Sequence, residues 1–238
     1  YVGVSAFAHK AGLHASAIKV DPDLYQHIDP ETVGNTMRML VSDMAGRASV
    51  ELKGKELGID LGGDREVVGR VVERVKEREL RGYTYEAADA SFELLLRGEV
   101  EGKPLKYFEV ESWRAIVEDR PDGSHANEAT VKLYAKGERI VATAEGNGPV
   151  NALDRALRVA LEKIYPQLAK LDLVDYKVRI LEGVHGTEST TRVLISTSDG
   201  GGEWSTVGVA ENVIAASWQA LEDAYTYGLL RAGVEPAE

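Results

Sequence analysis

The segment from residue 105 to residue 234 repeats itself, and this repetition limits the possible folds more than any other feature. Residues 108–119 (FEVESWRAIVED) alternate in polarity and predict a strand. Residues 128–137 (EATVKLYAKG) predict a second and residues 139–146 (RIVATAEG) a third. Residues 151–165 (NALDRALRVALEKIY) then carry apolar side chains at helical spacing. The same order returns in 173–183, 189–200, 203–211 and 214–230. Sliding the chain by 64 residues lays Val110 on Val174, Ala156 on Ala220 and Leu157 on Leu221. Two β-β-β-α units are the simplest account. A three-stranded sheet must have its apolar face covered, so each unit needs packing against helices or against the other unit.

Two further zones precede the duplication. Residues 1–60 are rich in Gly, His and Asp. Within them, Asp29, Pro30 and Glu31 read as a helix start with Asp29 as N-cap, and Met37, Leu40 and Val41 are expected to share one face of that helix. Residues 61–104 read as helical. Val67, Val68, Val71, Val72 and Val75 recur at spacings of three and four, behind Asp64 as N-cap, and Arg81–Gly82 ends the run. A second helix is expected through residues 86–98, stopped by Gly98, with residues 98–104 as a linker. The expected fold class is therefore α+β: small α-rich linker subdomains over 1–60 and 61–104, followed by a domain of two β-β-β-α units over 105–238.

Composition excludes several chemistries. The chain has no Cys, which removes disulfides, Cys-based zinc sites and Cys nucleophiles. It carries 39 acidic against 28 basic residues, a net charge of −11. That balance repels phosphate backbones and anionic lipid surfaces, so neither nucleic acid nor membrane is an expected partner. No apolar run approaches the roughly 20 residues of a membrane span. A reducing cytoplasm is compatible with these features and is the expected location.

Few residues carry chemistry. His9 and His14 are five apart, which is not the i, i+4 spacing that puts two ligands on one metal, so no metal site is expected here. On spacing alone His14 reads as a loop histidine satisfied by backbone. His27 reads as structural, and His125 and His185 as exposed loop residues. Residues 145–152 (EGNGPVNA) lie between a predicted strand and a predicted helix. Gly146 and Gly148 are expected at positive φ, letting a ligand approach the backbone. The helix start beyond them offers N–H groups suited to an anion such as an amino acid's carboxylate. The competing reading is a tight turn capped by Asn147. The corresponding turn of the second unit, residues 210–216 (AENVIAA), lacks the glycines. Val150, Val213 and Ile214 read equally well as pocket lining or as core. Glu109, Glu111, Glu118 and Asp119 read as solvated strand positions, and Trp113, Trp204 and Trp218 as core or interface anchors.

Residues 9–18 (HKAGLHASAI), 25–30 (YQHIDP), 33–35 (VGN) and 41–47 (VSDMAGR) together resemble the linker region of the isopropylmalate, homocitrate and citramalate synthases. EGNGPVNALDRAL, VDYKVRIL and VGVAENVIAASWQAL extend the likeness into the duplicated half. YQHIDPETVGN, GYTYEAADASFELL and EGNGPVNAL favour the citramalate branch. The resemblance implies an acyltransferase that condenses acetyl-CoA with a 2-oxo acid, pyruvate in that branch, on a TIM barrel preceding residue 1. It implies a divalent metal on that barrel and no cofactor in this segment, which alone is expected to be inactive. It assigns His14 and Tyr25 to the acetyl-CoA chemistry of a neighbouring subunit. It assigns Gly146, Asn147, Gly148 and Val150 to a feedback-inhibitor site at a homodimer interface. Asn151 beside them, with Asn212, Val213, Ile214 and Ala215 by pseudo-symmetry, are expected to line the same pocket. Isoleucine is the effector the citramalate branch implies. The same segment of an isopropylmalate synthase with leucine as effector, and a ligand-free oligomerisation module, stay open.

Overall fold

The computed structural model describes residues 1–238 apart from 4, 27, 43–45, 62, 182–188 and 238. His27 and His185 therefore lie outside the described residues. The chain forms two compact units, Tyr1–Pro104 and Leu105–Glu238.

Unit 1 contains β1 (Ala8–His9), α1 (Gly12–Val20), β2 (Arg38–Met39), α2 (Arg47–Glu56), α3 (Arg65–Leu80) and α4 (Asp89–Glu101). Short 3-10 turns occupy Pro22–Leu24 and Pro30–Val33. Asp29 caps the second of these, accepting from Glu31 N, but the expected helix does not continue. Gly34 takes the left-handed conformation at φ 70° and ends the turn, and Arg38–Met39 then pairs in parallel with Ala8–His9. A small core of Ala15, Ile18 and Met39, flanked by Met37, Ala48 and Leu52, closes this region. Asp64 caps α3 by accepting from Glu66 N and Val67 N, and Val68, Val71, Val72 and Val75 are buried as their spacing demands. Gly98 does not stop α4. The helix runs through it to Gly102, whose φ of 73° supplies the left-handed residue that terminates a helix. A Cβ added at Gly98 would meet Pro104 Cα at 3.4 Å, an ordinary packing distance.

A buried ammonium joins the elements of unit 1. The Lys53 side chain is 2% exposed and pairs with Glu56 at 2.9 Å and Asp89 at 3.2 Å. Asp89 also accepts from Arg38 at 3.0 Å, and Glu56 accepts from Met39 N at 3.4 Å. One cation thus ties β2, α2 and α4, with both carboxylates satisfied by further donors.

Unit 2 realises the duplication. β3 (Phe108–Asp119), β4 (His125–Ala135) and β5 (Glu138–Gly146) form one antiparallel sheet, followed by α5 (Pro149–Leu161). β6 (Asp172–Ile180), β7 (Thr191–Ser198) and β8 (Glu203–Ala210) form the other, followed by α6 (Val213–Arg231). Each first strand carries an irregularity, between Val110 and Ser112 in β3 and between Leu173 and Asp175 in β6. The matched pairs Ala156 and Ala220, and Leu157 and Leu221, are all fully buried. α5 packs mainly on β5 and β4, and α6 on β8 and β7. Burial alternates strictly along β7, with Thr191, Val193, Ile195 and Thr197 facing inward. Their cross-strand neighbours on β6 share that face, yet Tyr176, Val178 and Ile180 are 41%, 46% and 68% exposed. One helix does not cover three strands, and the outer strand is left bare.

Two contacts fasten the repeats. The Tyr225 hydroxyl of α6 donates to Asp154 of α5 at 2.7 Å. Trp113 of β3 stacks on Trp218 of α6, with ring centroids 5.6 Å apart. Trp204 and Trp218 are buried, as expected of anchors. Glu109, Glu111, Glu118 and Asp119 are exposed, the last pairing with the exposed His125.

Gly208 marks the closest approach of helix to sheet. A Cβ there would stand 1.9 Å from the Ala216 carbonyl and 2.8 Å from Ala220 N. Gly208→Ala is expected to lower stability by about 2 kcal/mol or more, because backbone rather than a pliable side chain must move. Urea unfolding of parent and variant measures it. Burial pushes the Asp154 carboxyl up, against the Tyr225 hydrogen bond and the Arg158 charge. Such a group keeps its proton more readily folded than unfolded. Its burial is thus free of penalty at low pH and costs stability as pH rises from about 4 through the folded value. Asp154→Asn retains an acceptor for Tyr225, so its stability relative to the parent is expected to rise between about pH 4 and 7. Unfolding curves across that range that stay parallel would contradict this.

Candidate functional site

Two groups of residues carry the chemistry expected from the sequence, one in each unit.

In unit 1 the structure brings His14 and Tyr25 together. His14 is the third residue of α1, whose N-cap Ala11 supplies no side-chain cap. Asp21 ends α1 and caps the following 3-10 turn through Asp23 N, and Tyr25 closes that turn by donating its N–H to the Pro22 carbonyl. The chain so folds back along α1, and the Tyr25 ring lies 4.2 Å from the His14 ring, centroid to centroid. Tyr25 is 41% exposed, so a partner can reach the pair. His9, on β1, meets His14 edge-on at 6.0 Å. Burial first, and the His14 charge second, hold the His9 imidazole below its ordinary range. Its Nε2 is buried without a hydrogen-bond partner. Among the described residues no three His, Asp or Glu side chains converge as a metal would require.

In unit 2 the turn between β5 and α5 is built differently from the expectation. Neither Gly146 nor Gly148 has positive φ. Gly148 is the N-cap of α5 at φ −169°, an extended conformation open to any residue, with no side-chain cap. Gly146 is required for another reason. A Cβ there would stand 2.5 Å from Ala152 N, because the end of β5 presses on the first turn of α5. Above Gly148 the space is open, with no atom within 4 Å of an added Cβ. Asn147 caps nothing. Its own N–H instead donates to Asn151 Oδ1 at 3.2 Å, so the side chain inside the helix reaches back to the turn. Arg155, one turn further on, donates to the Glu145 carbonyl at 3.2 Å and holds an exposed guanidinium at the same corner. Sequence reasoning passed over Arg155. The signal was its i+4 spacing from Asn151, which places both on one helix face.

The corresponding corner of the second unit is closed by its own side chain. Asn212 caps α6, accepting from Ile214 N at 2.7 Å and Ala215 N at 3.3 Å. Gly148 and Asn212 are N-caps 64 residues apart, one without and one with a capping side chain. Each corner ends a row of the sheet whose outer member is apolar and exposed. The rows are Val117–Asn127–Gly146 and Ile180–Thr191–Ala210, with Val117 60% exposed. Val150 and Ile214 are half-buried, and Val213 is 38% exposed.

One chain does not join the two corners. Tyr225, which meets Asp154, lies about 18 Å along α6 from its start, whereas Asp154 lies only about 7 Å into α5. The corner of α5 is thus level with the later turns of α6. Among the described residues no hydrogen bond links residues 146–151 to residues 212–215.

Comparison with known proteins divides the chain between residues 81 and 86, so the C-terminal match takes in α4 as well as unit 2. Residues 86–229 match the family described as the LeuA allosteric (dimerisation) domain. Residues 1–81 match that described as homocitrate synthase post-HMGL domain-like. The chain is 94% identical over its whole length to the (R)-citramalate synthase of Streptomyces coelicolor, of which it covers 45%. It is 47% identical over 97% of its length to the (R)-citramalate synthase of Aquifex aeolicus, covering 44% of that protein. With that of Geobacter sulfurreducens it shares 49% identity over 96% of its length, covering 43%. The chain thus spans less than half the length of these relatives. With residues 86–229 matched to the dimerisation domain and residues 1–81 to the post-HMGL segment, the chain belongs to the LeuA allosteric (dimerisation) domain family, in the combination of domains that resembles the citramalate synthases.

Proposed function

We propose that this chain is the linker and regulatory part of an acyltransferase of the (R)-citramalate synthase type, and that residues 105–238 bind isoleucine as feedback inhibitor within a homodimer. One observation carries the regulatory reading. At the α5 corner are an uncapped helix N-terminus, a guanidinium and open space over Gly148, and the exposed apolar Val117 ends the sheet row that begins at Gly146. That is one polar end for a carboxylate and one apolar end for a branched side chain. Gly146, Asn147, Gly148, Val150 and Asn151 form this half of the pocket. The α6 corner, with Asn212, Val213, Ile214 and Ala215, supplies the other half from a second copy, since one chain keeps the corners apart. The bare outer strand β6 supports such pairing, because exposed apolar strand residues gain from a partner sheet.

In the parent reaction acetyl-CoA and pyruvate with water give citramalate and CoA. The His14 imidazole takes a proton from the acetyl methyl group, and the carbon so freed attacks the pyruvate carbonyl. The Tyr25 phenol donates a hydrogen bond to the oxyanion that develops. Water then cleaves the thioester and releases CoA. A divalent metal belongs to the barrel in this reading, and this segment contributes the imidazole and phenol. The pair is 4.2 Å apart and partly exposed, as residues offered to a neighbouring active site must be.

Calorimetric titration of the purified chain with isoleucine, leucine and valine tests the regulatory reading. Selective binding of isoleucine is expected. Leucine preference would move the parent to an isopropylmalate synthase, and silence for all three would leave an oligomerisation module. Gly148→Leu fills open space without touching the core and is expected to weaken isoleucine binding at least tenfold, with the melting temperature kept within a few degrees. Unchanged affinity in that variant would refute the pocket. Ile180→Glu, at the most exposed apolar position of β6, is expected to convert dimer to monomer in sedimentation velocity.

A further inference from the structure

We propose that His9 is a positioning residue for His14: its imidazole edge holds one side of the His14 ring while Tyr25 covers another, so that His14 presents a single orientation. The catalytic consequence rests on the reading of His14 given above, whereas the clamp stands on geometry alone. His9 has an unusually firm base. The strand pair bonds it on both sides, Arg38 N donating to the Phe7 carbonyl at 3.0 Å and Leu40 N to the His9 carbonyl at 2.8 Å. β2, which makes those bonds, is itself anchored through Arg38 and Met39 N to the two carboxylates on buried Lys53. Rigid support thus extends from the interior of unit 1 to the His9 ring. From there it passes to His14 through an edge contact at 6.0 Å and onward to Tyr25 at 4.2 Å.

The identity of the clamping residue matters. A buried nitrogen without a hydrogen-bond partner costs about 1–3 kcal/mol, and Nε2 of His9 is such a nitrogen. A residue kept only for packing would be apolar at this position. An aromatic edge bearing a partial positive charge suits a ring neighbour better than an aliphatic group does. Burial, and second the His14 charge, also lower the His9 pKa, which disfavours a charge on the clamping ring. Fixing a general base in one rotamer is worth one to two powers of ten in rate, because misplacement by about 1 Å costs about a hundredfold.

The test is NMR of the His14 ring in this chain. Stacking on Tyr25 shifts the His14 Cε1–H resonance, and the shift is defined by its loss in Tyr25→Leu. In His9→Leu, which fills the space without an aromatic edge, more than half of that shift is expected to disappear while the backbone amide spectrum of unit 1 persists. His9→Phe, which keeps the edge, is expected to retain it. An unchanged His14 shift in His9→Leu would overturn the proposal, as would its loss in His9→Phe with the amide spectrum intact. In the full-length synthase, His9→Leu is expected to lower kcat about tenfold to a hundredfold with KM for the 2-oxo acid changed less than about twofold. If His14→Ala leaves turnover unaltered there, the catalytic reading of His14 fails while the NMR result still decides the clamp.

Discussion

A three-stranded sheet is broader than the single helix laid across it, and most of unit 2 follows from that mismatch. α5 and α6 settle on the second and third strands of their sheets, where alanines and Gly208 allow close approach. The first strands, β3 and β6, hydrogen-bond along one edge only and keep several apolar residues exposed, because the helices reach them only in part. α6 repairs part of this on both sheets. Trp113 of β3 finds Trp218 of α6 across the repeats, and Tyr176 of β6 reaches the Ser217 hydroxyl of its own helix at 2.7 Å. These equivalent positions of the two first strands solve the same problem, once by stacking and once by a hydrogen bond. What remains uncovered lies toward the strand ends, beside the two helix N-termini. The mismatch therefore places apolar surface next to backbone N–H groups, and that combination is what a small amphiphilic ligand or a second copy can use.

The duplicated half was highly legible in the sequence, because alternation and helical spacing were both strong and occurred twice. Among the described residues, each strand and α-helix of unit 2 was anticipated within a few residues, whereas the 3-10 turn Pro166–Lys170 was not. The leading half was less so. The helix expected after Pro30 fails at Gly34, whose left-handed conformation outweighs the apolar spacing of Met37, Leu40 and Val41. The chain there instead forms the two-residue parallel ladder of Arg38–Met39 with Ala8–His9, too short for any periodicity to announce. Gly98 misled in the opposite sense. A glycine in a helix costs only about 1 kcal/mol against alanine, too little to end this one.

The site residues divide in the same way. Their identities could be read, but their reasons could not. Gly146 is indispensable through a close approach of Ala152 N rather than through φ, and a linear sequence does not display that contact. Asn151 ties the turn together by accepting from Asn147 N, while the first N–H groups of α5 receive no side-chain cap. His14 and Tyr25 meet because Asp21 turns the chain, a short-range effect that their separation of eleven residues conceals.

The unequal caps of α5 and α6 bear on how a duplicated domain can respond to a small molecule. Asn212 permanently satisfies two donors at the start of α6, so that helix begins in a completed state. α5 begins at a glycine that satisfies none. A carboxylate arriving there would play for α5 the part that Asn212 already plays for α6, a substitution worth about 0.5–2 kcal/mol where side chains do it. The duplication would then hold one helix with a built-in cap and one whose cap is borrowed from solution. In that arrangement ligand concentration becomes a folding variable of half the domain, and the occupied form is the one in which the two repeats most nearly resemble each other.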